Sequence, residues 1–193
     1  MNNINNLDDL NYQAHWMPFS ANRQFQRDPR LILSAQGHYL QDQHGRQVYD
    51  SLSGLWTCGL GHCVPEIQQA VAKQLSQLDY APAFQFAHPW SFKLAEKIVE
   101  KMPAGLEHVF FTNSGSESAD TSLKMARAYW RAKGLPSKTK LIGRARGYHG
   151  VNVGGTSVGG IGGNRKNFGQ LLDADHLPHT LQSHLQFQKG CAE

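Results

Sequence analysis

Apolar residues recur along the chain with two different periods, and the change of period marks out the elements. Pro65 suits a first helical position, whose N–H has no intrahelical partner. Behind it Ile67, Val71, Leu75 and Leu78 keep one stripe, which predicts a helix to about residue 78. A second helix is predicted from about Trp90 to Met102, with Phe92, Ala95, Val99 and Met102 on one face and Pro103 as its stop. His108-Val109-Phe110-Phe111-Thr112 is then nearly continuous apolar sequence, the pattern of a strand covered on both faces of a parallel sheet. A third helix carries Ala119, Leu123, Ala126 and Trp130 on one face and ends at Gly134, with Pro136 beyond. Thr139 to Gly143 predicts the next strand. Strand, helix and strand then make one βαβ unit, and this part of the chain is α/β.

Upstream the pattern is shorter in period. Leu31 to Leu40 and Gln47 to Asp50 are β-prone runs around the turn Asp42-Gln43-His44-Gly45-Arg46, which predicts a small antiparallel meander. Residues 1–30 are polar, punctuated by His15-Trp16-Met17-Pro18-Phe19, and predict an extended arm or short helix lying on something larger. Gly54, Gly59 and Gly61 mark a loop between Ser51 and Cys63. Residues 143–163 hold nine of the chain's 19 glycines, a density that predicts backbone in close approach to a ligand or to another subunit. A sheet of only one or two βα units leaves its edges unpaired, so the sequence reads like the front part of a larger protein.

Composition narrows the function classes. The 193 residues are 40% hydrophobic and 18% charged, enough to bury a core in one domain or one and a half, and unlike a disordered chain. No apolar run approaches the roughly 18–20 residues of a membrane helix, and the opening Met1-Asn2-Asn3-Ile4-Asn5-Asn6 has no secretory pattern. The net charge of +4 is scattered. Its densest group, Lys138-Thr139-Lys140 running to Arg144 and Arg146, has no aromatic series along it, which argues against a nucleic-acid partner. Cys58, Cys63 and Cys191 are few and odd in number, as in a reducing cytoplasm without a disulfide framework. Cys58, His62 and Cys63 lack a second CxxC pair, so no metal is assigned to them.

The sharpest chemical feature is Thr112-Asn113-Ser114-Gly115-Ser116-Glu117, between predicted strand and helix. Ser114 and Glu117 form an S-x-x-E capping box, in which Glu is expected to reach back to the cap N–H. Gly115 permits close approach of the backbone, and Ser116 adds a hydroxyl donor. The free N–H groups and the positive end of the helix dipole would face outward from a strand's carboxyl end, where open α/β sheets bind phosphate. A well-capped helix with no ligand would show the same residues. Neither GxGxxG nor GxxxxGK[ST] is present, which disfavours a dinucleotide or P-loop site. Gly147-Tyr148-His149-Gly150 follows the next predicted strand. There Tyr148 is either a structural aromatic or a ring laid flat on a planar heterocycle, and His149 either a supporting donor or simply hydrogen-bonded.

Phe111-Thr112-Asn113-Ser114-Gly115-Ser116-Glu117-Ser118-Ala119-Asp120, continuing to Lys124-Met125-Ala126-Arg127, resembles the phosphate-cup helix of class III aminotransferases. These are pyridoxal-phosphate enzymes of fold type I. Gly147-Tyr148-His149-Gly150 looks like that family's stacking motif. Several further runs resemble the ω-amino acid (β-alanine)–pyruvate subgroup. They are His15 to Phe19, Ser53-Gly54-Leu55-Trp56-Thr57-Cys58-Gly59, Ser157 to Ile161 with Asn164-Arg165-Lys166, and Asp175-His176-Leu177-Pro178-His179-Thr180.

The resemblance implies an incomplete fold-type-I α/β architecture. It comprises an arm over 1–30, the amino-terminal part of a small domain with connecting helices over 31–103, and the start of a cofactor-binding large domain over 104–193. It implies that Ser114, Gly115 and Ser116 bind the phosphate of pyridoxal 5′-phosphate, that Tyr148 stacks on its ring with His149 beside it, and that Trp56 and Phe19 line the amine pocket. The alternative for Trp56 is an ordinary aromatic of a small-domain core, against which its loop setting among glycines argues. The implied activity moves an amino group from β-alanine or another ω-amino acid to pyruvate, in a cytoplasmic homodimer with the active site at the subunit interface. The resemblance also implies a Schiff-base lysine, an acidic partner for the pyridine nitrogen and an arginine for the substrate carboxylate, none of them in this chain. The reaction needs that lysine as base as well as covalent partner. Lys124 lies two turns into the phosphate helix and is not a substitute. The chain alone is therefore expected to be inactive. A non-catalytic remnant that binds phosphate or only dimerises, or another fold-type-I enzyme such as an aminomutase, are the alternatives.

Overall fold

The computed structural model describes residues 7–169 and 171–179. The chain divides between His88 and Pro89 into two compact units.

In the first unit a 3-10 turn at Leu7–Asp9 precedes α1 (Asn22–Arg27). The Tyr12 hydroxyl donates to the Leu7 carbonyl at 2.9 Å, and its ring meets Phe25 edge-on. Asn22 clasps Met17 from both sides: its Oδ1 accepts the Met17 N–H and its Nδ2 donates to the Met17 carbonyl, each at 2.9 Å. The arm is thus folded onto its own short helix. The expected meander is present as β1 (Ile32–Gln36), β2 (Tyr39–Asp42) and β3 (Gln47–Tyr49), antiparallel in that order. Tyr39 pairs with Tyr49 and Leu40 with Val48, and β1 carries a bulge between Ile32 and Ser34. Asp42 closes the β2–β3 hairpin by accepting the N–H groups of His44 and Arg46, both at 2.9 Å, and the Arg46 Nε at 2.7 Å. Burial opposes the charge of Asp42, but the Arg46 and His44 hydrogen bonds outweigh it and hold the carboxyl below its ordinary range.

A single kinked turn, α2 (Ser53–Trp56), follows, then α3 (Pro65–Leu75), with Pro65 at its first position as expected. The stripe predicted for α3 is real, but Ile67, Val71 and Leu75 are exposed.

The second unit begins with α4 (Pro89–Val99), whose last residues continue as single turns to Met102. Next comes α5 (Gly115–Ala132). Its end is a two-bond cap: the Gly134 N–H donates to the Arg131 carbonyl and the Leu135 N–H to that of Trp130, with Gly134 at φ +76°. After α5 come β4 (Leu141–Arg144), α6 (Val153–Val158), α7 (Gly162–Arg165), a 3-10 turn at Lys166–Phe168, and β5 (Ala174–Leu177). β4 and β5 run parallel, with Leu141 opposite Ala174 and Arg144 opposite Leu177.

Here the structure corrects the sequence reading. His108 to Thr112 forms no strand, and Phe110 and Phe111 are exposed. A parallel strand exists only through a neighbour's ladder, and among the described residues nothing pairs with this segment. The βαβ unit observed is instead β4–α6–α7–β5. Its second strand lies in the Asp175-His176-Leu177 motif, and periodicity did not mark it.

The core of this unit is glycine-lined. Ser157 is wholly buried and Val158 is the buried large hydrophobic residue among those described. A Cβ on Gly143 would stand 1.9 Å from the Val158 carbonyl oxygen, and one on Gly160 would stand 2.0 Å from that of Arg144. Much of the glycine density in residues 143–163 therefore serves approach of this chain to itself, α6 to β4.

Candidate functional site

The amino terminus of α5 is built by its cap. Ser114 is extended at φ −152°, and its Oγ accepts the Glu117 N–H at 3.2 Å. Glu117 does reach back, but to the residue before the cap: its Oε2 accepts the Asn113 backbone N–H at 2.9 Å and the Asn113 side-chain amide at 3.3 Å. The N–H groups of Gly115 and Ser116 stand at the start of the helix, where none has an intrahelical acceptor.

Two long-range bonds bring the second motif onto this terminus. The Val151 N–H donates to the Ser116 Oγ at 3.0 Å, so the Ser116 hydroxyl proton remains free to donate elsewhere. The Asp120 carboxylate accepts the Gly155 N–H at 2.7 Å and the Gly154 N–H at 3.4 Å, capping α6 from one turn further along α5. Close contact makes glycine necessary at the crossing. Gly150 has φ +98°, and a Cβ there would come within 2.7 Å of the Ser116 Cα and Oγ. On Gly155 it would meet the His149 carbonyl oxygen at 2.1 Å.

The result is an open cleft of about 430 Å³ lined by Gly115, Ser116, Ala119, Tyr148, His149 and Gly150. Four of the residues singled out in the sequence thus meet. Ser114 does not line the cleft; its hydroxyl is committed to the helix cap. The half-exposed Tyr148 ring forms one wall, and His149 folds back so that its Nε2 lies 3.1 Å from where a Gly147 Cβ would be. The two carboxylates nearest the helix terminus, Glu117 and Asp120, both face partners elsewhere. What remains toward the cleft is N–H and O–H donors beside an aromatic plane. Such a set accepts an anionic group attached to a flat ring. The sequence reading passed over Asp120. Its signal was an acidic residue one turn beyond the box on a helix that already had its cap.

A larger cleft of about 560 Å³ lies along the other flank of α5, beside Phe110, Phe111, Glu117, Asp120, Lys124 and Arg127. Lys124 faces this side, away from Ser116 and Tyr148.

Trp56 and Phe19 belong to the first unit. Trp56 is 89% exposed and sits at the end of an uncommon turn: Ser53, Gly54, Leu55 and Trp56 all have left-handed φ, at 50°, 57°, 57° and 73°. Such backbone costs on the order of 1–2 kcal/mol for each non-glycine residue. Phe19 is exposed, at φ 50°, and borders a separate cleft with Ser20, Gln24 and Phe25. His62 bonds through Nε2 to the Asp50 Oδ2 at 2.8 Å. No helix among the described residues is long and apolar enough to cross a membrane.

Comparison with known proteins gives the family of the chain. Residues 21–191 match the family described as aminotransferase class-III. The chain is 70% identical over 185 residues to a β-alanine–pyruvate aminotransferase of Pseudomonas aeruginosa, covering 96% of this chain and 41% of that protein. It resembles an amine transaminase from an uncultivated Pseudomonas species, solved in its PLP-bound form, with a TM-score of 0.78 and 38% identity over 86% of this chain and 38% of the other. It also resembles the ω-transaminase of Pseudomonas jessenii in complex with PMP, with a TM-score of 0.86 and 33% identity over 94% of this chain and 41% of the other. The chain spans about two fifths of the length of the curated relatives it matches. It belongs to the class III aminotransferases, pyridoxal-phosphate enzymes of fold type I, and it carries an α/β portion of that fold.

Proposed function

We propose that this chain supplies the cofactor phosphate cup and ring platform of an enzyme that moves an amino group from β-alanine or another ω-amino acid to pyruvate. The observation that carries this reading is the Val151–Ser116 hydrogen bond, which draws the Tyr148 loop onto the mouth of α5. Pyridoxal 5′-phosphate fits the resulting cleft by its chemistry: a phosphate for the Gly115 and Ser116 donors and a flat heterocycle for the Tyr148 ring. When bound, it supplies the electron sink for the transfer. The protein's part here is to bind and orient. The α5 terminus holds the dianion, with Ser114 fixing the terminus itself. Tyr148 sets the tilt of the ring, and His149 closes the edge of the loop.

In the same reading Trp56 and Phe19 line the amine pocket. Residues 31–103 belong to a small domain and 104 onward to the cofactor-binding domain, and the working enzyme is a homodimer. The 193 residues by themselves bind the cofactor without turnover, because no lysine among the described residues lines the cleft. The amine donor and pyruvate are supported by the name of the P. aeruginosa relative.

Two measurements test the proposal. Pyridoxal phosphate added to the chain should quench protein fluorescence saturably, and borohydride should fix no cofactor to it. The polypeptide extended to the length of its relatives should form alanine from β-alanine and pyruvate. Borohydride-fixed cofactor on the 193 residues would refute the inactivity, and an extended chain that binds no cofactor would refute the cup.

A further inference from the structure

The left-handed turn that carries Trp56 is unfavourable backbone, so something must hold it, and the first unit shows what does. Asp50 lies at the end of β3, where its N–H donates to the His38 carbonyl at 2.9 Å. Its Oδ1 accepts the Leu52 N–H at 3.1 Å, and its Oδ2 accepts the Gly54 N–H at 3.0 Å. The same Oδ2 meets the His62 Nε2 at 2.8 Å, and both side chains are largely covered from solvent. His62 is in turn pinned to the β1–β2 connection. Its N–H donates to the Gly37 carbonyl at 2.7 Å, and the Gly37 N–H donates back at 3.1 Å. Gly61 makes that approach possible, with φ +94° and a Cβ position 3.0 Å from the Gly37 oxygen.

Both ends of the segment from residue 50 to residue 62 are therefore tied to adjacent residues of one hairpin, Gly37 and His38. The two side chains close the segment across its neck. Within it, the Cys58 N–H donates to the Ser53 carbonyl at 2.8 Å, and the Thr57 hydroxyl donates to that of Gly54 at 2.7 Å. The Trp56 indole stands outside this framework, 89% exposed, on backbone that the turn holds.

We infer that Asp50 and His62 are positioning residues that aim Trp56, and through it set which amine donors the enzyme accepts. The first half of this inference stands on the geometry above. The second half rests on the proposed role of Trp56 in the amine pocket. The carboxylate fixes two N–H groups of the turn, and the imidazole fixes the carboxylate. Loss of either frees the turn to leave the left-handed region, and the indole moves with it.

The test uses the full-length, cofactor-loaded protein labelled with 5-fluorotryptophan, with the Trp56 fluorine resonance identified by Trp56→Phe. His62→Leu should shift or broaden that resonance and leave those of Trp16, Trp90 and Trp130 in place. His62→Gln, which keeps an N–H donor toward Asp50, should restore it. His62→Leu should also raise KM for β-alanine roughly tenfold with kcat little changed, and narrow the gap between small and bulky donors. If His62→Leu fails to fold, Asp50→Asn gives the same reading, since it removes one acceptor at constant volume. An unmoved Trp56 resonance in the folded variants overturns the inference. A moved resonance with unchanged donor preference leaves the clasp standing and overturns the placement of Trp56 in the amine pocket.

Discussion

The Asp120 carboxylate accepts the Gly155 N–H at 2.7 Å and so ties the second turn of α5 to the first turn of α6. Together with the Ser116–Val151 bond it anchors the backbone that follows residues 148–150, so the wall of the cleft is tied to α5 by hydrogen bonds about thirty-five residues apart in sequence.

Asp120→Ala should leave two α6 N–H groups without their acceptor and cost about 1–3 kcal/mol of stability. Asp120→Asn keeps one acceptor and should cost less. Urea unfolding monitored by circular dichroism would measure both. Cofactor affinity should fall in the same order, because the loop bearing Tyr148 loosens.

Ser114 and Ser116 should separate cleanly. Ser114→Ala removes a helix cap and should cost about 1 kcal/mol of stability, with cofactor affinity falling only as far as the helix terminus frays. Ser116→Ala removes both the acceptor for Val151 and the donor proposed for the phosphate, and should weaken pyridoxal phosphate binding roughly tenfold or more. Equal loss of affinity in the two variants would contradict this division.

The glycines of residues 143–163 should fall into two groups. Gly143→Ala, Gly155→Ala and Gly160→Ala each place a Cβ against fixed backbone and should be strongly destabilising. Gly162→Ala and Gly163→Ala meet nothing within 4 Å and have ordinary φ, so the isolated chain should tolerate them within about 0.5 kcal/mol. If these two alter the oligomeric state of the extended protein while leaving its unfolding midpoint unchanged, the subunit-contact role expected of this segment belongs to them.

Acid should loosen the first unit in a defined window. The His62 hydrogen bond, aided by the Leu52 and Gly54 N–H groups, holds the Asp50 carboxyl below its ordinary value of 3.8 despite some burial, and Asp42 is likewise depressed. A depressed carboxyl contributes stability that is fully present above its unfolded pKa and is lost as pH falls through the folded one. The unfolding midpoint of wild type should therefore exceed that of Asp50→Asn from neutral pH down to about 4, and the two should converge below it. A gap that widens in acid would contradict the sign.

Much of this was legible locally. The meander, the helices beginning near Pro65 and Pro89, and α5 with its Ser114 cap and Gly134 terminus all follow from period and end signals within a few residues. The nearness of the α5 mouth and Tyr148 was expected from the two motifs taken together and from their family resemblance, not from period. The segment from His108 to Thr112 was read as a strand because its composition suits burial on two faces. Burial and pairing are properties of neighbours, and here the ladder formed between Leu141–Arg144 and Ala174–Leu177 instead.

The amino-acid order alone determined which stretches turn helical, where they stop, and which residue types stand at the mouth of α5. Tertiary structure alone decided that Glu117 bonds to Asn113 rather than to the cap, and that Asp120 and Ser116 hold the Tyr148 loop. It also decided that glycines after β4 admit α6, and that Asp50 and His62 clasp the Trp56 turn. Capping and periodicity act within one helical turn, so neighbouring residues encode them. A carboxylate's choice among distant N–H groups depends on which backbones cross within 3 Å, and that distance exists only once the chain has folded.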